Sequence, residues 1–179
     1  MRIFVIGLMG SGKTTIGRRL STRTRWPYID NDALVEQVAG RKAPQIEAED
    51  GVDALHDAEL AAFEHALTIP TPVILGVAGF VVVEPALRKR MREAGTVVWL
   101  RARPETLRLR VGSGRGRRED ATDLEWIQSV VAERTPVFEE AADIVIDVDR
   151  LRPRHVVEEI VRRLGIEPDQ ADAASTSTS

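Results

Sequence analysis

The sequence predicts an α/β protein in which helices cover both faces of one parallel sheet. Two observations predict it. Short apolar runs alternate along the chain with longer segments of helical periodicity, the pattern of a parallel sheet. A glycine-rich stretch, Gly7 to Thr15 (GLMGSGKTT), also joins the first apolar run to the first helical one. Ligands in such sheets gather at the carboxyl ends of strands, which is where this stretch falls.

The strand candidates are Arg2–Ile6, Tyr28–Asp30, Val73–Leu75, Thr96–Leu100 and Ile144–Asp147. Each is nearly continuously apolar, as a strand buried on both faces must be. Helical segments are predicted over Lys13–Arg23, Asp32–Ala39, Val52–Leu67, Glu84–Glu93, Pro104–Val111, Leu124–Phe138 and Pro153–Leu164. In the last, Val156, Val157, Ile160, Val161 and Leu164 form one apolar stripe that requires a sheet to cover. The run Leu87 to Glu93 (LRKRMRE) reads as a solvated helix face, and His65 and His155 as ordinary helix residues. No internal repeat is present.

With 179 residues the chain suits one well-buried domain, expected over 1–166. Residues 167–179 are small, polar and aperiodic, so a disordered tail is expected there. No window reaches 18 consecutive apolar residues, so no membrane span is expected. The first strand starts at Arg2 with no leader pattern before it, which predicts a cytoplasmic protein. The absence of cysteine excludes disulfides and Cys-based metal sites. A net charge of −3 argues against a surface dedicated to nucleic acid. A monomer or weak oligomer is expected.

Gly7, Gly12, Lys13 and Thr14 fill the pattern G-x-x-x-x-G-K-[ST], and Gly10 adds a further glycine. Backbone N–H groups of such a loop turn inward on phosphate oxygens. Nucleotide contacts are therefore expected from Gly10, Ser11, Gly12, Lys13, Thr14 and Thr15. Lys13 brings a cation to the reacting phosphate, the Thr14 hydroxyl suits Mg²⁺, and the following helix adds its positive end. Across the sheet edge, YIDNDALVE places Asp30 at the end of the second strand and Asp32 near a helix start. One carboxylate could serve the Mg²⁺ shell and the other accept a proton from an attacking hydroxyl. The local alternative is a helix cap at Asn31 or Asp32. The third strand carries no acid in VILGVAGF, which leaves Asp30 as the metal-side candidate. Gly112 to Arg118, within a predicted lid over about 112–123, groups Arg115, Arg117 and Arg118 with glycines, just after Arg110. It reads as a mobile lid closing arginines over phosphates, or as a solvated charged loop.

Taken in order, these residues resemble the shikimate kinase family, from Arg2 to about Leu164. GLMGSGKTTIGRRL is close to that family's opening, and YIDNDALVEQVAG resembles its D-x-D segment. AGTVVWLRARPETLRLRV and VVAERTPVFEEAADIVIDVD are similar to its later strands and its R-x-P motif. The resemblance implies a three-layer α/β/α P-loop NTPase fold with a five-stranded sheet in the order 2-3-1-4-5. It implies ATP and Mg²⁺ as cofactors, and phosphoryl transfer to a small carboxylate-bearing substrate. Asp30 would lie on the Mg²⁺ side with Thr14, and Asp32 would hydrogen-bond the acceptor hydroxyl. Arg134 would grip the acceptor carboxylate, Arg117 would meet the phosphates, and Arg110 and Pro153 would flank adenine.

The acceptor side departs from the family pattern. In GVDALHDAE, Gly51 and Glu59 match, but His56 stands where the family has a substrate-binding arginine. An arginine grips a carboxylate with two prongs, whereas a histidine offers one donor at most. His56 is thus either an acceptor ligand or a polar residue on a helix. The family's glycine triplet appears as Val77-Ala78-Gly79, followed by Phe80, which would narrow the pocket around Gly79. Three readings remain: a shikimate kinase; a related kinase for another hydroxy acid, sugar acid or polyol; and a non-catalytic nucleotide-binding homologue.

Overall fold

A computed structural model describes residues 1–111 and 123–166. The strands are β1 (Arg2–Ile6), β2 (Tyr28–Ile29), β3 (Val73–Gly76), β4 (Thr96–Arg101) and β5 (Ile144–Asp147). They form one parallel sheet in the order β2-β3-β1-β4-β5, as the resemblance implied. The helices are α1 (Lys13–Thr24), α2 (Asn31–Ala39), α3 (Ala43–Asp50), α4 (Val52–Thr68), α5 (Gly79–Val83), α6 (Pro85–Ala94), α7 (Pro104–Val111), α8 (Leu124–Ala141) and α9 (Pro153–Leu164).

Side chains alternate across the sheet, so each strand feeds two cores. Ile3 and Val5 join Ile16 and Leu20 of α1 and the stripe Val156, Val157, Ile160 and Val161 of α9. Phe4 and Ile6 face the other way, toward Leu34, Val35, Phe63, Val82 and Phe138. Three layers result. β1, central and buried from Ile3 to Ile6, carries the phosphate loop at its carboxyl end. At the opposite end Arg2 donates to the carbonyls of Leu67 and Ile69, 2.9 Å each, and of Ala94, 3.3 Å. One guanidinium thus ties the ends of α4 and α6 under the sheet.

Two helices were not expected. α3 follows Gly40-Arg41-Lys42, which reads as a break, but Pro44 suits a first helical turn, and the Gln45 side chain accepts from the Lys42 N–H at 3.1 Å. α5 is a five-residue turn of the β-branched run GFVVV, whose Val81 and Val82 are buried by tertiary packing. The run LRKRMRE is corrected as well. Leu87, Arg88 and Met91 are buried, and Arg88 donates to the carbonyls of Val82 and Val83 at 2.9 Å and pairs with Glu140 at 3.1 Å. Its guanidinium satisfies carbonyls at the end of α5 that the short helix leaves open. Among the described residues no helix is long and apolar enough to cross a membrane.

Candidate active site

The phosphate half is built on β1. Beyond Ile6 the chain must turn tightly into α1, and Gly10 and Gly12 do so with φ of +85° and +99°. A side chain at Gly10 would also press on the Leu107 carbonyl and on Val111, each 3.0 Å from its Cβ. Gly12 is the N-cap of α1, and Lys13 folds back to donate to the Gly7 carbonyl at 2.7 Å. Its cation therefore lies over the loop it belongs to. Thr14 and Thr15 are exposed on the first turn, whereas Ser11 is buried.

Asp30 closes this half from the second strand. β2 ends one residue earlier than expected, at Ile29, so Asp30 itself becomes the N-cap of α2 and accepts from the Asp32 N–H at 3.4 Å. The cap expected at Asn31 or Asp32 is corrected accordingly: cap and metal-side candidate are one residue. The Thr14 hydroxyl donates to Asp30 Oδ2 at 2.7 Å. Threonine and carboxylate, separate in sequence, thus share one bond at the start of α1.

The adjoining cleft, about 550 Å³, is lined by Leu8, Ser11, Arg103, Arg134, Asp147 and Asp149 among others. It sits at the carboxyl ends of β4 and β5. Arg134 lies on α8 two residues before Pro136, whose missing N–H interrupts the helical ladder there. Its side chain pairs with Glu133 at 3.3 Å. Arg110 bridges the phosphate loop and the segment after β5, donating to the Ser11 carbonyl at 3.4 Å and the Val148 carbonyl at 3.0 Å. That segment leads to Pro153 at the start of α9, so the structure sets Arg110 beside the connection expected to frame adenine. Arg115, Arg117, Arg118 and the predicted lid lie outside the described residues.

The other half is built from α2, α4 and α5. His56 of α4 stacks on Phe80 of α5, with ring centroids 4.1 Å apart and planes at 8°. Gly79, at the start of α5, is exposed, and a Cβ there would meet no atom within 4 Å. Val77 and Ala78 are buried in the core, and the Phe80 ring of the same segment reaches His56. Glu59, one turn after His56, is largely buried. Burial first, then the charges of Asp32 and Glu47, push its carboxyl up to about 7. Asp32 is therefore close enough to Glu59 for their charges to interact. His56 and Asp32 do not line the cleft that holds Arg134. Sequence reasoning missed Glu47 and Tyr28; Tyr28 looked like one more strand residue, and only its position under α1 reveals its bond to Asp30.

The model of the shikimate kinase family matches residues 9–165. The chain belongs to the shikimate kinase family. Among curated members, the shikimate kinase of Symbiobacterium thermophilum is 37% identical over 92% of this chain and 96% of its own. That of Cupriavidus pinatubonensis is 31% identical over 98% and 92% respectively. The solved shikimate kinase of Aquifex aeolicus superposes with a TM-score of 0.77 at 26% identity, covering 98% of this chain and 99% of that one. The Acinetobacter baumannii enzyme, solved in complex with shikimate, gives a TM-score of 0.79 at 20% identity over 99% and 95%. The fold is the one these kinases share, and membership makes the chain an ATP-dependent small-molecule kinase.

Proposed function

We propose that residues 1–166 form one kinase domain that transfers the γ-phosphoryl of ATP to a hydroxyl of shikimate. The observation that carries the reading is the Thr14–Asp30 bond joining the phosphate loop to the second strand, within a chain of this family. Lys13 holds positive charge where the transferring phosphoryl gains negative charge. Asp32, exposed at the start of α2, orients the acceptor hydroxyl and takes its proton. Arg134 holds the acceptor carboxylate, with His56 and the open backbone at Gly79 completing the acceptor side. Arg110 and Pro153 frame adenine, and Arg117 meets the phosphates.

Thr14 and Asp30 fit Mg²⁺. Both offer oxygen donors, and Mg²⁺ in phosphoryl-transfer sites takes one or two carboxylates and leaves its other positions to phosphate and water. When bound, Mg²⁺ neutralises phosphate charge. The chain's own work is positioning and electrostatics.

A second reading, a kinase for another hydroxy acid, is favoured by the His56–Phe80 stack where the family has an arginine. ADP release measured with shikimate, quinate and gluconate separates the two. Shikimate is expected to give the largest kcat/KM; release no faster than with water would refute the shikimate assignment. Lys13→Met is expected to abolish turnover while leaving the fold intact, as seen by circular dichroism, and near-full activity in it would refute the phosphate-loop mechanism.

A further inference from the structure

Tyr28 is the only tyrosine in the chain, and its ring runs from β2 beneath α1. Glycines on two different elements open the slot it fills. A Cβ on Gly17 of α1 would come within 2.1 Å of the ring, and one on Gly76 of β3 within 2.8 Å of the hydroxyl. The hydroxyl donates to Asp30 Oδ2 at 2.7 Å, the same oxygen that accepts from Thr14. An apolar ring would fill the slot equally well, and the hydroxyl adds a bond to the carboxylate that caps α2.

We propose that Tyr28 is a positioning residue for the metal-side carboxylate. Its hydroxyl locks the orientation of Asp30, and through Asp30 sets how strongly Mg²⁺ strengthens nucleotide binding, without itself touching nucleotide or acceptor. The proposal rests on Asp30 being the metal-side carboxylate. Two hydroxyl donors, one from the phosphate loop and one from the sheet, converge on a single oxygen and leave the carboxylate little freedom to turn. A ligand held in one orientation binds without a further ordering cost.

Tyr28→Phe keeps the ring and removes only the hydroxyl. Calorimetric titration with a non-hydrolysable ATP analogue, with and without Mg²⁺, measures the factor by which Mg²⁺ tightens binding. That factor is expected to fall about tenfold in Tyr28→Phe, the size of one hydrogen bond to a charged group. Affinity without Mg²⁺ and acceptor KM are expected to stay near wild type, the thermal midpoint to fall by the roughly 3–6 °C that one buried hydrogen bond is worth, and the Mg²⁺ needed for half-maximal rate to rise. An unchanged Mg²⁺ factor overturns the proposal. So does a loss of Mg²⁺-free affinity as large as the loss with Mg²⁺, which would mark the hydroxyl as shaping the nucleotide site rather than the metal side. Asp30→Asn is measured in parallel. If it loses the Mg²⁺ effect while Tyr28→Phe keeps it, the positioning role alone falls; if both keep it, the assignment of Asp30 falls too.

Discussion

Replacing Glu59 with glutamine should make the enzyme's stability less dependent on pH. Glu59 is held largely out of water beside Asp32 and Glu47, which raises its carboxyl from an ordinary 4.5 to about 7 in the folded protein. A raised carboxyl pKa means that the fold prefers the protonated form. The folded state is therefore undisturbed below the unfolded value and loses stability as pH climbs from 4.5 through 7. At about 1.4 kcal/mol per pH unit, the fully ionised side chain costs roughly 3 kcal/mol. In a chain of this size that corresponds to about 5–10 °C in thermal midpoint. The assay is a thermal melt of wild type and Glu59→Gln at about pH 5 and about pH 8, compared as a double difference so that the amide's own burial cost cancels. The variant should gain on wild type by about 5–10 °C on going to the higher pH. An equal gap at both pH values would refute the reasoning, because it would mean that Glu59 titrates alike in the folded and unfolded states.

Three further outcomes are expected. Gly17→Ala drives a methyl into the Tyr28 ring and should lower stability by about 2–3 kcal/mol, read from urea unfolding. Arg88→Ala strips donors from the Val82 and Val83 carbonyls and should lose about 2 kcal/mol, with Arg88→Lys recovering only part, since a single ammonium cannot span both carbonyls and Glu140. His56→Arg restores a two-pronged carboxylate contact against Phe80 and should lower the shikimate KM about tenfold or more, with kcat within a few-fold; an unchanged KM would remove position 56 from the acceptor site.

The phosphate half was legible because its information is local: a run of glycines, one lysine and one threonine act within a few residues of one another. Asp30 was legible for a related reason, as an acid at a strand's end in a sheet whose ligand edge is known. Arg88 and Tyr28 were not, nor was the raised carboxyl of Glu59, because each depends on what packs over it. Arg88 looked solvated until α5, a helix without helical sequence character, presented its open carbonyls. Val77 and Ala78 show the same dependence. As sequence they stood only as replacements for glycines near the acceptor, whereas in the fold the turn from β3 into α5 packs both side chains into the core.

The sheet order also divides the molecule by how readily its parts open. β1 lies between β3 and β4 with both faces buried, so the phosphate loop is anchored to a strand that cannot be released without dissolving both cores. β2, by contrast, is a two-residue strand at the sheet's edge, and the helices that follow it, α2 and α3, are short. Local opening should therefore reach the amides of α2 and α3 well before those of β1, so that hydrogen exchange at β1 reports global unfolding. The edge built from β2, α2 and α3 can breathe while the central strand under the phosphate loop stays closed to exchange.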